Sequence, residues 1–140
     1  MSFSPTVWLR LIGPVTGGGI TMTDQRVEND VMAWLVCDDR VLASTEIPTN
    51  RRRRARGLLG RDGIEGAIVL RPCRWIHTFG MRFALDVAYV DGHGNVLHTV
   101  RMKPNRLGMP RPRSGYVVEA AAGAFGRWGL HVGDVLELRD

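Results

Sequence analysis

The chain has 140 residues, 44% of them apolar and 24% charged, with a formal net charge of +5 and a pI near 10.2. That length fits one domain with its own core, and no apolar run approaches the about 20 residues that a membrane-crossing helix requires. The positive charge is almost entirely arginine, Lys103 being the lone lysine, so it reads as a solvated basic surface rather than an address for nucleic acid.

Residues 1–30 read as an N-terminal extension. They lack a basic start, and Arg10 interrupts the apolar stretch "VWLRLIGPV", unlike a secretory signal. "GGITM", Gly18 to Met22, can be encoded as a ribosome-binding sequence followed by a start codon. Translation is therefore expected to begin at Met22, and the extension is expected to be disordered. Cys37 and Cys73 lie far apart in apolar surroundings and are expected to stay reduced in a cytoplasmic protein.

From residue 31 to residue 140 the pattern is that of a single domain. "MAWLVCDD" and "VLASTEI" are short apolar runs at hairpin spacing around Asp38, Asp39 and Arg40. "PTNRRRRARGLLGR" reads as a short helix capped by Thr49 or Asn50, with arginines outward, Ala55, Leu58 and Leu59 inward, and Gly60 at its left-handed end. "GAIVLRP" is a strand that Pro72 ends. "CRWIHTFGMRF" is a strand and turn whose residues 73, 75, 77, 79 and 81 share one face.

"ALDVAYVDGHGNVLHTVRM" is two strands around a glycine-bearing turn. "RLGMPRPRSG" is a loop, "YVVEAAAG" a strand, "AFGRWGL" a short helical turn, and "HVGDVLELR" a last strand entered through Gly133 and Asp134. Short strands without a βαβ rhythm or internal repeats predict a mainly β (α+β) fold. It is expected to be a small, partly open β-barrel with one short helix packed across it and a second helical turn near the C-terminus.

Five ordered motifs carry a family likeness: "RARGLLGR" (54–61), "IHTFGMRFALDVAYVD" (76–91) with its following "GNV", Pro104, "VVEAAAG" (117–123) and "VGDVLEL". Over Trp34 to Leu138 the chain resembles the bacterial and archaeal domain-of-unknown-function family 192. The resemblance implies a partly open barrel with a helix across it and no established activity. It also implies relatives that are often exported or lipid-anchored. Where many relatives carry proline after Phe83, this chain has Ala84.

Cys73, His77 and Met81 are residue types that copper accepts. In an extended chain, however, Cys73 and His77 stand about 13 Å apart, so no metal site and no cofactor is expected. His77 reads first as a satisfied core histidine. Its functional reading places it, with Thr78, beside Arg54, Arg61 and Arg82 in a basic pocket for carboxylate or phosphate. Asp86, inside an apolar strand, should meet an arginine or several backbone N–H groups, a bridge to Arg54 or Arg61 being favoured.

Glu119 should cap the barrel end or pair with an arginine, and Asp134 should brace its turn. These residues suit a non-catalytic binding module for a small anionic ligand or a partner's acidic segment. Alternatives are an enzyme using His77 and Asp86, for which no nucleophile stands at a recognisable spacing, or an accessory of an envelope or secretion assembly. No nucleic-acid recognition module is present.

Overall fold

The structure, a computed structural model, describes residues 30–140; the expectations for residues 1–29, including a start at Met22, lie outside them. Seven strands form one sheet: β1 (Asp30–Cys37), β2 (Arg40–Pro48), β3 (Ala67–Leu70), β4 (Leu85–Val90), β5 (Val96–Met102), β6 (Tyr116–Ala121) and β7 (Leu136–Arg139). Two short helices, α1 (Arg51–Arg56) and α2 (Ala124–Trp128), follow β2 and β6. The strand order is β5-β4-β6-β3-β2-β1-β7. The β1–β2, β1–β7, β3–β6, β4–β5 and β4–β6 pairs are antiparallel. β2 and β3 pair in parallel at Thr45–Ala67 and Glu46–Ile68, so α1 is the crossover of one βαβ unit in an otherwise antiparallel sheet.

The sheet curls into a half-barrel whose outer strands meet at one end. Val96 N–H donates to Asp134 O (2.8 Å), Gly133 N–H to Val96 O (2.9 Å) and Leu136 N–H to Gly94 O (2.7 Å). Beside this seam the Asp134 carboxylate accepts His131 N–H at 2.8 Å. Gly94 has φ 92, and a Cβ there would overlap the Leu136 carbonyl oxygen. Gly94→Ala is accordingly expected to destabilise the fold by about 2 kcal/mol or more. Chemical denaturation measures this, and an unchanged midpoint would mean that the seam is dispensable.

The central strands are buried on both faces, which is why "AIVL" and "LDVAYV" read as continuous apolar runs. Inward residues such as Leu35, Val69, Val90, Val118 and Phe125 fill the half-barrel. The alternate residues Ile68, Leu70, Val87, Tyr89 and Val117 face outward and are covered by Leu58 and Ile76. Burying each aliphatic side chain contributes about 1.5–3 kcal/mol, so this outer layer is a second core.

Local chemistry sets the joints. Asp38 and Asp39 take positive φ (51 and 58), the two-residue turn that suits twisted strands. Asn50 caps α1, its side chain accepting Arg53 N–H at 2.7 Å. The helix ends at Gly57 (φ 51), three residues before the expected Gly60. With this earlier end Leu58 is buried, but Ala55 and Leu59 face solvent.

Nor do all the arginines line a wet face. Arg53 is buried and donates to Gly57 O (2.8 Å) and Asp30 Oδ2 (3.1 Å). Burial raises the Asp30 carboxyl above its usual range, and the Arg53 guanidinium opposes that rise.

The expected bridge from Asp86 to Arg54 or Arg61 does not form. Leu85 and Val87 point outward, where α1 packs, so Asp86 between them points inward. There it accepts Gly123 N–H (2.9 Å) and Phe125 N–H (3.1 Å), and Arg101 Nε–H on the neighbouring strand (3.0 Å). The start of α2 has no side-chain cap of its own; Asp86 supplies one from β4.

Candidate functional site

The outer layer is incomplete between α1 and residues 73–83, leaving a cleft of about 520 Å³. Its floor is Leu70, Leu85 and Glu119, and one wall is Arg51, Arg54, Leu58 and Leu59. The facing wall is Cys73, Trp75, His77, Phe79 and Met81, the alternate residues expected on one face, although the segment is irregular chain with a single bridge, His77–Leu107, and not the expected strand.

A buried threonine shapes that wall. Thr78 Oγ1 donates to Lys103 O (2.6 Å) and accepts Arg106 N–H (2.9 Å), while its own N–H donates to Arg106 O (2.8 Å). Asn105 Oδ1 accepts Gly80 N–H at 2.9 Å, fixing the turn that follows. With Thr78 held inward, His77 and Phe79 turn outward. Their rings stack at 5.2 Å and 28°, and Trp75 tilts against His77 at 6.0 Å. Trp75 Nε1–H is tied to Gly108 O at 2.9 Å. The wall is therefore a ladder of three rings fixed from behind.

Glu119 is the chemical oddity of the floor. β3 and β4 flank it with Ile68 and Val87 at the same register. It is 4% exposed. It does not cap the barrel end or pair with an arginine; among the described residues its carboxylate has neither a hydrogen bond nor an ion pair. Burial alone pushes its carboxyl up to about 7. Two other acids share this layer. Burial raises the Cys73 thiol and the Tyr89 hydroxyl, and the nearby Glu119 adds to both shifts. Among the described residues the Tyr89 hydroxyl has no hydrogen-bond partner.

Of the residues expected to form a basic pocket, Arg54 and His77 meet in this cleft. Arg61 is held elsewhere, forked onto Glu46 at 2.7 and 3.0 Å, where it ties the segment after α1 to β2. Arg82 pairs with Asp62 at 3.1 Å on open surface. The hydroxyl of Thr78 is spent on backbone. His77 is exposed, not a core histidine, and its Nδ1 accepts Phe79 N–H at 3.3 Å. It stands on the outer side of the sheet while Asp86 points inward, so the two do not form a catalytic pair. Arg51 and Glu119 join the cleft unanticipated. The signal for Glu119 was an acid in "YVVEAAAG", a strand otherwise apolar on both faces.

Among the described residues, no group of three His, Cys, Asp or Glu is placed to hold a metal, and no helix is long and apolar enough to cross a membrane. The model of an uncharacterised family, DUF192 ("Uncharacterized ACR"), matches residues 35–138. A UPF0127 protein of Pyrococcus abyssi is 29% identical over 97 residues, covering 66% of this chain and 83% of that protein. A crystal structure of a protein of unknown function from Novosphingobium aromaticivorans superposes with a TM-score of 0.65 at 18% identity, covering 77% of this chain and 84% of its own. That of a candidate transcription regulator from Sinorhizobium meliloti gives 0.65 at 19% identity, covering 78% and 93%. At such identities the two structures share the fold and carry nothing further.

Proposed function

The chain belongs to the uncharacterised family DUF192, whose model spans residues 35–138, and we propose that it acts as a non-catalytic binding module for a small amphipathic anion. The ligand's apolar body lies between the ring ladder and Leu58–Leu59, and its anionic group meets Arg51 and Arg54. One observation carries this reading: Arg51, Arg54 and Arg56 line a largely apolar cleft, and none of the three has an ion pair among the described residues. A guanidinium fork beside an apolar slot suits a carboxylate, sulfonate or phosphate on a hydrophobic frame.

The fluorescent anion 8-anilinonaphthalene-1-sulfonate has that form and serves as a probe. The wild-type chain is expected to bind it with a single-site isotherm. Arg54→Ala and Trp75→Ala should each weaken binding by about tenfold, about 1.4 kcal/mol. Arg82→Ala, outside the cleft, should not change it. Equal affinities across all four proteins would remove the cleft as the site.

A further inference from the structure

We infer that Glu119 selects the ligand: the molecule taken by this cleft presents a nitrogen hydrogen-bond donor at its inner end, and Glu119 receives it as a carboxylate. This rests on the cleft being the binding site. It goes further by assigning the ligand a second pole, making it an amine or amide joined through an apolar spacer to an anion.

Glu119 lies on the cleft floor, more than nine-tenths buried, without a hydrogen bond or ion pair among the described residues. Buried polar side chains are otherwise almost always satisfied, and an unsatisfied one costs stability. A carboxyl group offers up to about four acceptor sites but at most one donor. An N–H ligand therefore satisfies it in either protonation state, and an ammonium adds an ion pair with the ionised form. A carbonyl ligand could use only the protonated form.

The charged and titratable groups around it do not compete. From α1 the cleft receives Arg51, Arg54 and Arg56, and from the ring wall His77 and Cys73. On the same face of the sheet β4 contributes Tyr89, and β3 contributes the apolar Ile68. The arginines draw the anionic pole outward to the rim, leaving the other pole to the floor. The raised carboxyl adds a signature: receiving a donor expels a proton at neutral pH.

Matched probes differing only at the inner pole test this: 4-(aminomethyl)benzoate against 4-methylbenzoate, and 6-aminohexanoate against hexanoate. Binding is followed by NMR on the full chain near pH 8, together with the carboxyl ¹³C titration of Glu119. In at least one pair the amine is expected to bind about tenfold tighter. Glu119→Gln should abolish that preference, and saturation should lower the Glu119 midpoint by about one unit or more.

The inference fails if neither pair shows an amine preference, or if the methyl or alkyl acid binds better and raises the Glu119 midpoint. In those cases weaker binding of every probe to Arg54→Ala would leave the cleft itself standing as an anion site. Indifference to Arg54→Ala would instead remove the cleft reading. The wild-type titration separates these outcomes even if the glutamine variant does not fold.

Discussion

Glu119→Gln is expected to erase a fall in stability of about 3 kcal/mol that the ligand-free wild type suffers as pH rises from about 4.5 to about 7. Below pH 4.5 the carboxyl is protonated in both the folded and the unfolded chain, and nothing is lost. Between 4.5 and 7 the unfolded chain has released the proton while the folded chain still holds it, so folding weakens with each step in pH. Above 7 both forms are ionised, and the full cost of a buried, unpartnered carboxylate remains. Asp30, also raised by burial, slopes the same way, so the difference between wild type and variant is the quantity to read. Urea unfolding at a series of pH values gives it. Parallel curves for the two proteins would show that Glu119 has an ordinary affinity for protons and a partner in solution.

Asp86→Ala is expected to cost about 3–4 kcal/mol, whereas Arg101→Ala should cost less than about 1 kcal/mol. The asymmetry follows from exposure. The Asp86 carboxylate is 6% exposed and satisfies the N–H groups of Gly123 and Phe125, while the Arg101 side chain is 61% exposed and can turn to water. Thermal and urea unfolding of both variants would rank them. Equal losses would mean that the ion pair, not the cap on α2, is what matters at this position.

The elements were legible where local chemistry decides them. Asn50 announces the start of α1, Asp38–Asp39 and "DGHGN" announce turns, and alternation in "CRWIHTFGM" sets the ring wall. Which arginine meets which acid was not legible. Arg53, Arg54 and Arg61 are interchangeable on paper, and the choice depends on which side of the sheet α1 occupies. Once α1 lies outside, β-strand alternation sends Asp86 to the opposite face and leaves Glu46 and Asp30 as partners for Arg61 and Arg53.

The candidate site was half legible for the same reason. Arg54 and His77 converge because the sheet's outer layer brings α1 to the ring wall. Arg61 and Arg82 are drawn off by nearer carboxylates that local pattern cannot rank. Glu119 carried a signal, an acid in a doubly buried strand, but its lack of a partner emerges only from the packing around it.

The ring wall hangs from main-chain atoms. Thr78 grips the carbonyl of Lys103 and the amide of Arg106, so any residue at 103 or 106 other than proline at the donor would offer the same handhold. Substitutions at 77 and 79 can then recast what the wall prefers to touch without unseating it. Within such a lineage the fold and the clip would be inherited together, while taste for a particular molecule drifts from one descendant to the next.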